Sequence, residues 1–564
     1  MSWGKIKVAT QTIDVKMFTR MFISGVNNLE ANKAWINDLN VFPVPDGDTG
    51  TNMSLTLNSA VREVSGPKVS DLSSAAKAIS FGSLRGARGN SGVITSQLLR
   101  GFCKILQTKT VIDAAAIAEA NTKAVETAYK AVMKPKEGTI LTVARGIAEK
   151  WSELSEQETD LEKIFEQVLD HGEKVLANTP ELLPVLKEAG VVDSGGQGLI
   201  VFLKGCYSCL MGHEIAEGEN TEAAERAAEP EGKYEYRTAF TIHPGQTLSQ
   251  EQTAGFKSYL EALGDHAALT EKGGKLLVSL ETNDPGTAIQ KALKFGYLTQ
   301  ISVVNLHEKD EGPQEEADTV PEAPAAEENA APAFVKTTVP ESEWKEIGFI
   351  ATAVGSGLTE VFKSLGVDAV VQGGQTMNPS TEDMLEAIES IPAKNIVILP
   401  NNKNIILAAQ QAQVMCKSRH VEVLPTTNIP EGISAMSCFM PEDSLEENLE
   451  MMKDAYSTVK SGEVTYAVRN TSIAGKEIHE GDYMGLGGPT GLYAVGKEKM
   501  LVLLEMIAAM VDEDSGMITL YCGEDVPESD GEILRRKLAK KYPDCDIDVI
   551  NGGQPVYSYI ASVE

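Results

Sequence analysis

Two acidic tracts constrain this 564-residue chain most, because they divide it before any fold can be assigned. Glu214–Gly232 reads EIAEGENTEAAERAAEPEG, seven acids against one Arg. Glu308–Ala331 reads EKDEGPQEEADTVPEAPAAEENAA, nine acids against one Lys. Segments of this composition bury too little apolar surface to offset the entropy of ordering, and they repel themselves, so both read as solvated linkers. Together they hold −14 of the formal net charge of −31. The chain therefore separates into residues 1–213, a linker 214–232, residues 233–307, an acidic Pro/Ala-rich linker 308–340, and residues 341–564. A length of 564 residues also exceeds what one core organises.

The charge excludes a nucleic-acid surface, which needs a basic stripe. A hydrophobic content of 42% is ordinary for packed domains. The N-terminal stretch MSWGKIKVATQTIDVKMF has no uninterrupted apolar run of the kind a secretory signal needs. The longest apolar windows, from Leu199 and from Met500, are short and broken by charge. A cytoplasmic protein without membrane insertion is expected. Seven cysteines, an odd number, fit separate thiols better than a disulfide framework.

Residues 1–213 are rich in helical periodicity: Ile94, Leu98, Phe102 and Ile105 recur at helical spacing, and TDLEKIFEQVLDHGEKVL repeats the pattern. Residues 233–307 alternate strand and helix, as TAFTI, SQEQTAGFKSYLEAL, KLLVSL, GTAIQKALKFG and QISVVNL, a small α/β unit. From residue 341 apolar strands alternate with helices as far as VEVLPTT, which predicts a parallel sheet with helices on its faces.

Three segments of the first region carry chemistry. LNVFPVPDGDTGTNM (Leu39–Met53) sets Asp46 and Asp48 two apart around Gly47 and opens into a helix through Thr49, Thr51 and Asn52. Paired carboxylates suit a hard cation such as Mg²⁺, while Asp-Gly is equally a turn signal. GSLRGARGNSG (Gly82–Gly92) and VVDSGGQG (Val191–Gly198) each precede an apolar helix. Small residues at a helix start let backbone N–H groups approach phosphate oxygens, with Arg88 able to add positive charge, although the same residues also serve tight turns and close helix crossings. One carboxylate loop and two glycine-rich helix starts in a single helical region favour a nucleotide-phosphate site.

These segments, together with EGTILTVAR (Glu137–Arg145), closely resemble the ATP-binding subunits of dihydroxyacetone kinases, in the variant found in the catalytic subunits of bacterial fatty-acid kinases. The resemblance runs along essentially the whole chain. It implies an antiparallel α-helical barrel for the first region, a small α/β middle domain and a DegV-like α/β C-terminal domain, with ATP and Mg²⁺ bound at the mouth of the barrel. Asp46 and Asp48 match the metal-binding aspartates, and Asn40 is the nearest polar residue to a third, upstream ligand. Asn52, Asn90, Ser91 and Gly92 match phosphate-contacting positions, with Thr49, Thr51 and Gly89 beside them. Asp193, Gly195 and Gly196 match the loop over the nucleoside, and Thr139 lies near the base. Asp46, Asp48 and Arg88 are the expected catalytic set.

The resemblance also implies the reaction, ATP-dependent phosphorylation of a fatty acid to an acyl phosphate for phospholipid synthesis. The acid is presented by a separate DegV-type fatty-acid-binding protein, and the kinase is expected to be a homodimer. An ionised carboxylate needs no general base, which agrees with the absence of histidine from the three segments. Two other readings stay open: a kinase of a small hydroxylated metabolite such as dihydroxyacetone, and a nucleotide-sensing scaffold.

The C-terminal region carries further likeness in QGGQTMNPSTEDM (Gln372–Met384), LPNNKNI (Leu399–Ile405) and PTTNIPEG (Pro425–Gly432), which dock the carrier, help to shape the dimer, or form plain strand-end turns. Several relatives hold zinc in the middle domain. This chain has Arg237, Ser279 and Glu281 at the ligand positions, so zinc is not expected and an Arg237–Glu281 ion pair replaces it. GLYAVGK (Gly491–Lys497) imitates a P-loop but ends in Glu498, GLGG at 485–488 lacks dinucleotide spacing, and Cys206 and Cys209 form a CxxC without a second pair.

Overall fold

The computed structural model describes residues 10–41, 47–132, 134–216, 236–244, 265–272, 275–283, 285–305, 334–374, 378–467, 471–473, 475–488 and 491–564, with 253, 256, 257, 259, 260 and 263 between the first two strands of the middle region. Asp46 and most of both acidic linkers lie outside the described residues.

The first region is helical: α1 (Val15–Asp38), α2 (Thr49–Val64), α3 (Leu72–Arg85), α4 (Gly89–Leu106), α5 (Ala114–Ala131), α6 (Ile140–Ser155), α7 (Leu161–Ala177), the short α8 (Thr179–Leu182) and α9 (Pro184–Ala189), and α10 (Ser194–Leu210). From α1 to α7 each helix packs against the next; α10 packs on α7 and returns onto α1, closing the ring. This closed ring is the expected helical barrel. Its inner stripes are apolar at helical spacing; α7 buries Leu161, Ile164, Phe165, Val168, Leu169 and Leu176, and α2 buries Met53, Leu57, Ala60 and Val64.

Aspartate side chains cap five of these helices. Asp14, Asp71, Asp113, Asp160 and Asp193 each accept a hydrogen bond from a backbone N–H of the first turn. A cap of this kind satisfies one of the orphan donors of a helix start and contributes about 1 kcal/mol. By contrast α2, α4 and α6 begin at Asp48, Arg88 and Thr139 with no side-chain cap bond.

The middle region is a four-stranded antiparallel sheet in the order β2-β3-β1-β4, from β1 (Tyr236–Pro244), β2 (Asp265–Lys272), β3 (Lys275–Thr282) and β4 (Gly296–Asn305), with α11 (Pro285–Ala292) between the last two strands. Strand β2, DHAALTEK, carries no apolar run in the sequence; backbone pairing to β3 makes it a strand. Helix α11 and Phe256 cover one face, against Phe240, Ile242, Leu276, Val278 and Leu280.

The C-terminal region holds two sheets. β5 (Lys345–Ala353), β6 (Ala369–Gln372), β7 (Ala393–Leu399) and β8 (His420–Val423) form a fully parallel sheet in the order β6-β5-β7-β8. The helices α12 (Ser356–Ser364), α13 (Thr381–Ser390), α14 (Ile406–Met415) and α15 (Ile429–Ser437) run between or after these strands, as the alternating pattern predicts. Phe349, Ala351 and Ala353 face one core and Ile350 the other, so β5 is buried on both faces. After α16 (Leu445–Thr458) the pattern changes. β9 (Lys460–Tyr466), the small hairpin β10 (Thr471–Ile473) and β11 (Lys476–Ile478), β12 (Tyr483–Gly487), β13 (Leu492–Gly496), β14 (Met517–Cys522), β15 (Asp546–Asn551) and β16 (Tyr559–Val563) follow, with α17 (Lys499–Met510) and α18 (Glu528–Lys541). Their main sheet runs β13-β12-β9-β16-β14-β15 and is antiparallel except for the pair β14 and β15.

The helical and C-terminal regions belong to one compact unit and the middle region is a second. Within the first unit, Ala87 and Val93 of the barrel pack with Leu407 and Ala408 of α14. The signals set aside in the sequence take ordinary places. The P-loop imitation forms β13, with Lys497 paired to Asp482, and GLGG ends β12. Cys206 and Cys209 are buried free thiols of α10, and burial pushes both pKa values up. All seven cysteines are free. Among the described residues no helix is long and apolar enough to cross a membrane.

Candidate active site

Four helix N-termini of the barrel open on one cleft of about 320 Å³. α2 contributes Asp48 and Thr49, α4 Asn90 and Ser91, α6 Thr139, Ile140 and Leu141, and α10 Asp193, Ser194 and Gly195. Asn40 adds a buried amide from the turn after α1. Three of the four, α2, α4 and α6, lack a side-chain bond from their own N-cap residue, and the partial positive ends of the helix dipoles meet at the cleft. That arrangement suits a polyanion far better than one helix start would.

Local chemistry holds each start in place. Gly47 has φ +66°, a left-handed conformation that turns the chain into Asp48 and α2. Thr51 is turned away from the cleft: its N–H donates to Asn37 Oδ1 at 3.1 Å and its hydroxyl accepts from Asn37 Nδ2 at 3.0 Å. Ser194 Oγ donates to Thr49 Oγ1 at 3.1 Å, tying α10 to α2. Gly89 has φ +57°, and a Cβ there would stand 2.5 Å from Asn52 Nδ2, so α4 starts tightly over α2. Asn52 lies in this second layer, and a Cβ on Gly92 would meet Thr56 Oγ1 at 2.3 Å. Gly196 is also behind the lining and donates its N–H to Asp193 Oδ2 at 2.7 Å.

Asp193 is 5% exposed, and this burial pushes its carboxyl up to about 6. Backbone N–H groups of Gly196, Ile140 and Gly195 bond to it and oppose the rise. One carboxylate thus joins the starts of α6 and α10. At the mouth of α6, Arg145 forms a fork on Glu137 with hydrogen bonds of 2.9 and 2.7 Å and holds that carboxyl below its usual range.

Of the residues singled out in the sequence, the structure brings Asn40, Asp48, Thr49, Asn90, Ser91, Thr139, Asp193 and Gly195 to the cleft. It sets Thr51, Asn52, Gly89, Gly92 and Gly196 behind that lining. Arg88 points elsewhere: its Nη1 donates to the Asn378 carbonyl at 2.8 Å and lies 3.6 Å from Asp383 of the C-terminal region. The cationic members of the lining are instead Lys134 and Lys136, both exposed in the loop before α6, neither in an ion pair among the described residues. Sequence reading did not single out KPK. It also missed Asn404 and Leu407, which line the cleft from the C-terminal region; Asn404 Oδ1 accepts from Asn90 Nδ2 at 2.9 Å.

Among the described residues no three His, Cys, Asp or Glu side chains gather as a metal cluster. Asp48 and Asn40 line the cleft, and Asn378, whose amide donates to Asp48, has a buried side-chain oxygen without a hydrogen-bond partner among the described residues; all three are oxygen-bearing groups. A donor set of this kind fits a hard divalent cation that keeps positions for water and phosphate oxygens.

Comparison with known proteins gives concordant matches. Residues 43–208 match the DAK2 domain, residues 233–312 the middle domain of the FakA-like fatty acid kinase family, and residues 348–564 the C-terminal domain of that same family. Protein YloV of Bacillus subtilis (strain 168) is 38% identical over 99% of this chain and 100% of its own. An uncharacterized protein of Staphylococcus haemolyticus (strain JCSC1435) is 38% identical over 98% of this chain and 99% of its own. Among solved structures, a DegV family protein from Thermus thermophilus, described by its fatty acid binding, covers 39% of this chain and 100% of its own at 14% identity and a TM-score of 0.29.

Proposed function

Because this chain belongs to the FakA-like fatty acid kinase family, we propose that it transfers the γ-phosphoryl group of ATP to the carboxylate of a fatty acid held by a separate DegV-type fatty-acid-binding protein. The observation that carries this reading is the convergence of four helix N-termini, three of them without a side-chain bond from their own N-cap residue, beside Asp48.

A carboxylate oxygen of the acid attacks the γ-phosphorus, the bond from that phosphorus to the β,γ-bridging oxygen breaks, and ADP leaves with the electron pair. The acceptor is already ionised near neutral pH, so no side chain has to remove a proton. Among the described residues no histidine lines the cleft. Asp48, with Asn40 beside it and Asp46 two residues before it in sequence, would hold Mg²⁺, which when bound neutralises charge on the phosphate oxygens. The first-turn N–H groups at Thr49, Asn90 and Ser91 bind and orient the phosphates, with Lys134 and Lys136 above them. Thr139, Asp193 and Gly195, which also line the cleft, would contact the nucleoside.

The acyl phosphate product enters phospholipid synthesis in the same proposal, and the working species is a cytoplasmic homodimer. ATP turnover with a fatty acid, measured with and without a DegV-type carrier and beside dihydroxyacetone, tests the reading. Turnover that requires both acid and carrier is expected, with loss in Asp48→Ala. Carrier-independent phosphorylation of dihydroxyacetone, or nucleotide binding with no turnover of either acceptor, would replace it.

A further inference from the structure

The carboxylate of Asp48 is held from outside the barrel. Asn378, 4% exposed and three residues before α13, donates its side-chain amide to Asp48 Oδ2. Its main-chain carbonyl is fixed in turn by Arg88 Nη1 at 2.8 Å, and Thr381 N–H donates to the Ala87 carbonyl at 3.1 Å. Asn378 is therefore clamped on both sides by the segment that opens α4. Its own Oδ1 is buried and has no hydrogen-bond partner among the described residues. Interiors avoid such an acceptor unless a ligand, ion or water satisfies it.

We infer that Asn378 is a positioning residue of the nucleotide site, holding one oxygen of Asp48 so that the other serves the cation, and presenting its own Oδ1 to that cation. The inference rests on the reading of the cleft as a site for a magnesium nucleotide. It makes the C-terminal domain part of the nucleotide site, to which Asn404 and Leu407 contribute lining and Asn378 a contact to Asp48 from behind it. Arg88, expected in the sequence to face phosphate, acts through Asn378 instead.

The test is calorimetric titration of full-length protein with ADP plus Mg²⁺ and with ADP plus a chelator, comparing wild type with Asn378→Ala and with Asn378→Leu, which keeps the buried volume. Loss of a hydrogen bond to a charged group lowers the affinity for magnesium ADP about tenfold in both variants, while metal-free ADP binding changes by less than about twofold. Equal losses with and without Mg²⁺ would make Asn378 a packing residue and overturn the inference, as would unchanged affinity. Tighter magnesium ADP binding in the variants would make the contact an inhibitory latch and overturn it too. A wild-type chain that binds no nucleotide in either titration would remove the underlying reading, an outcome distinct from any difference between variants.

Discussion

Gln97 of α4 and Gln411 of α14 meet in a buried contact: Gln97 Nε2 donates to Gln411 Oε1 at 2.8 Å, and Gln411 Nε2 donates on to the Leu84 carbonyl. The pair spans the junction of the barrel and the C-terminal domain. Gln411→Ala would leave the buried Gln97 amide without its partner, at about 1–3 kcal/mol, and remove a part-buried bond to the Leu84 carbonyl. Hydrogen exchange of residues 84–97 in the full chain should accelerate in this variant while exchange in α7 does not change. Unaltered exchange at 84–97 would show that the junction does not depend on this pair.

Asp193 gives a pH dependence with a defined sign. Its carboxyl titrates near 6 in the folded protein against 3.8 ordinarily, so the folded state binds the proton more tightly. This group is neutral in its effect below about pH 4, destabilises progressively as pH rises through 6, and imposes a constant penalty above that. Asp193→Asn keeps an oxygen for the Gly196 N–H and removes the charge. The variant should be more stable than wild type at pH 7.5 by about 1–3 kcal/mol, with the advantage vanishing toward pH 4. Thermal midpoints of both proteins measured from pH 4 to 8 check this, and a difference that does not vary with pH would contradict it.

The parts of the site legible in the sequence are those set by neighbours along the chain. Gly47 and Gly89 announce turns into helices because their left-handed backbones favour that residue type, and Asp193 announces a cap because its acceptor lies three residues from the N–H it serves. Arg88 could not be assigned correctly from its surroundings in sequence, since its partner Asn378 is 290 residues further on. Asn404 was hidden for the same reason, lying 314 residues from Asn90. In the fold, alternation of strand and helix carried as far as β8, although it did not give the order β6-β5-β7-β8, in which β5 separates β6 from β7. It failed beyond α16, because β9 pairs with β12 and β16 and only backbone pairing reveals that order.

Lys134 and Lys136 stand at the rim of the cleft in a protein whose net charge is −31. Exposed charges act weakly one at a time, about 0.5–1 kcal/mol each, and salt screens them. Lys134→Ala with Lys136→Ala should therefore raise the KM for ATP about three- to tenfold at low ionic strength, with kcat changed little and the effect shrinking in 0.5 M salt, roughly a 4 Å screening length. A fall in kcat with unchanged KM would place these lysines in phosphoryl transfer itself; no effect on either would remove them from the site.

In the middle domain, backbone register sets Arg237 of β1 directly opposite Glu281 of β3, and Ala239 opposite Ser279. Directly opposed residues of an antiparallel pair are the unit of cross-strand interaction, and opposite charges there contribute about 0.2–1 kcal/mol. Reversing one charge places like charges face to face. Arg237→Glu and Glu281→Arg should each lower the thermal midpoint of the middle domain, and the double exchange should recover most of the loss, because the pair is restored with its members swapped. Arg237 cannot act as a metal ligand, so the opposed positions Arg237 and Glu281 make a poor donor set for zinc. Metal analysis of the full-length protein should accordingly find zinc well below one equivalent. Stoichiometric zinc, or a double exchange no more stable than the singles, would show that some other contact ties β1 to β3.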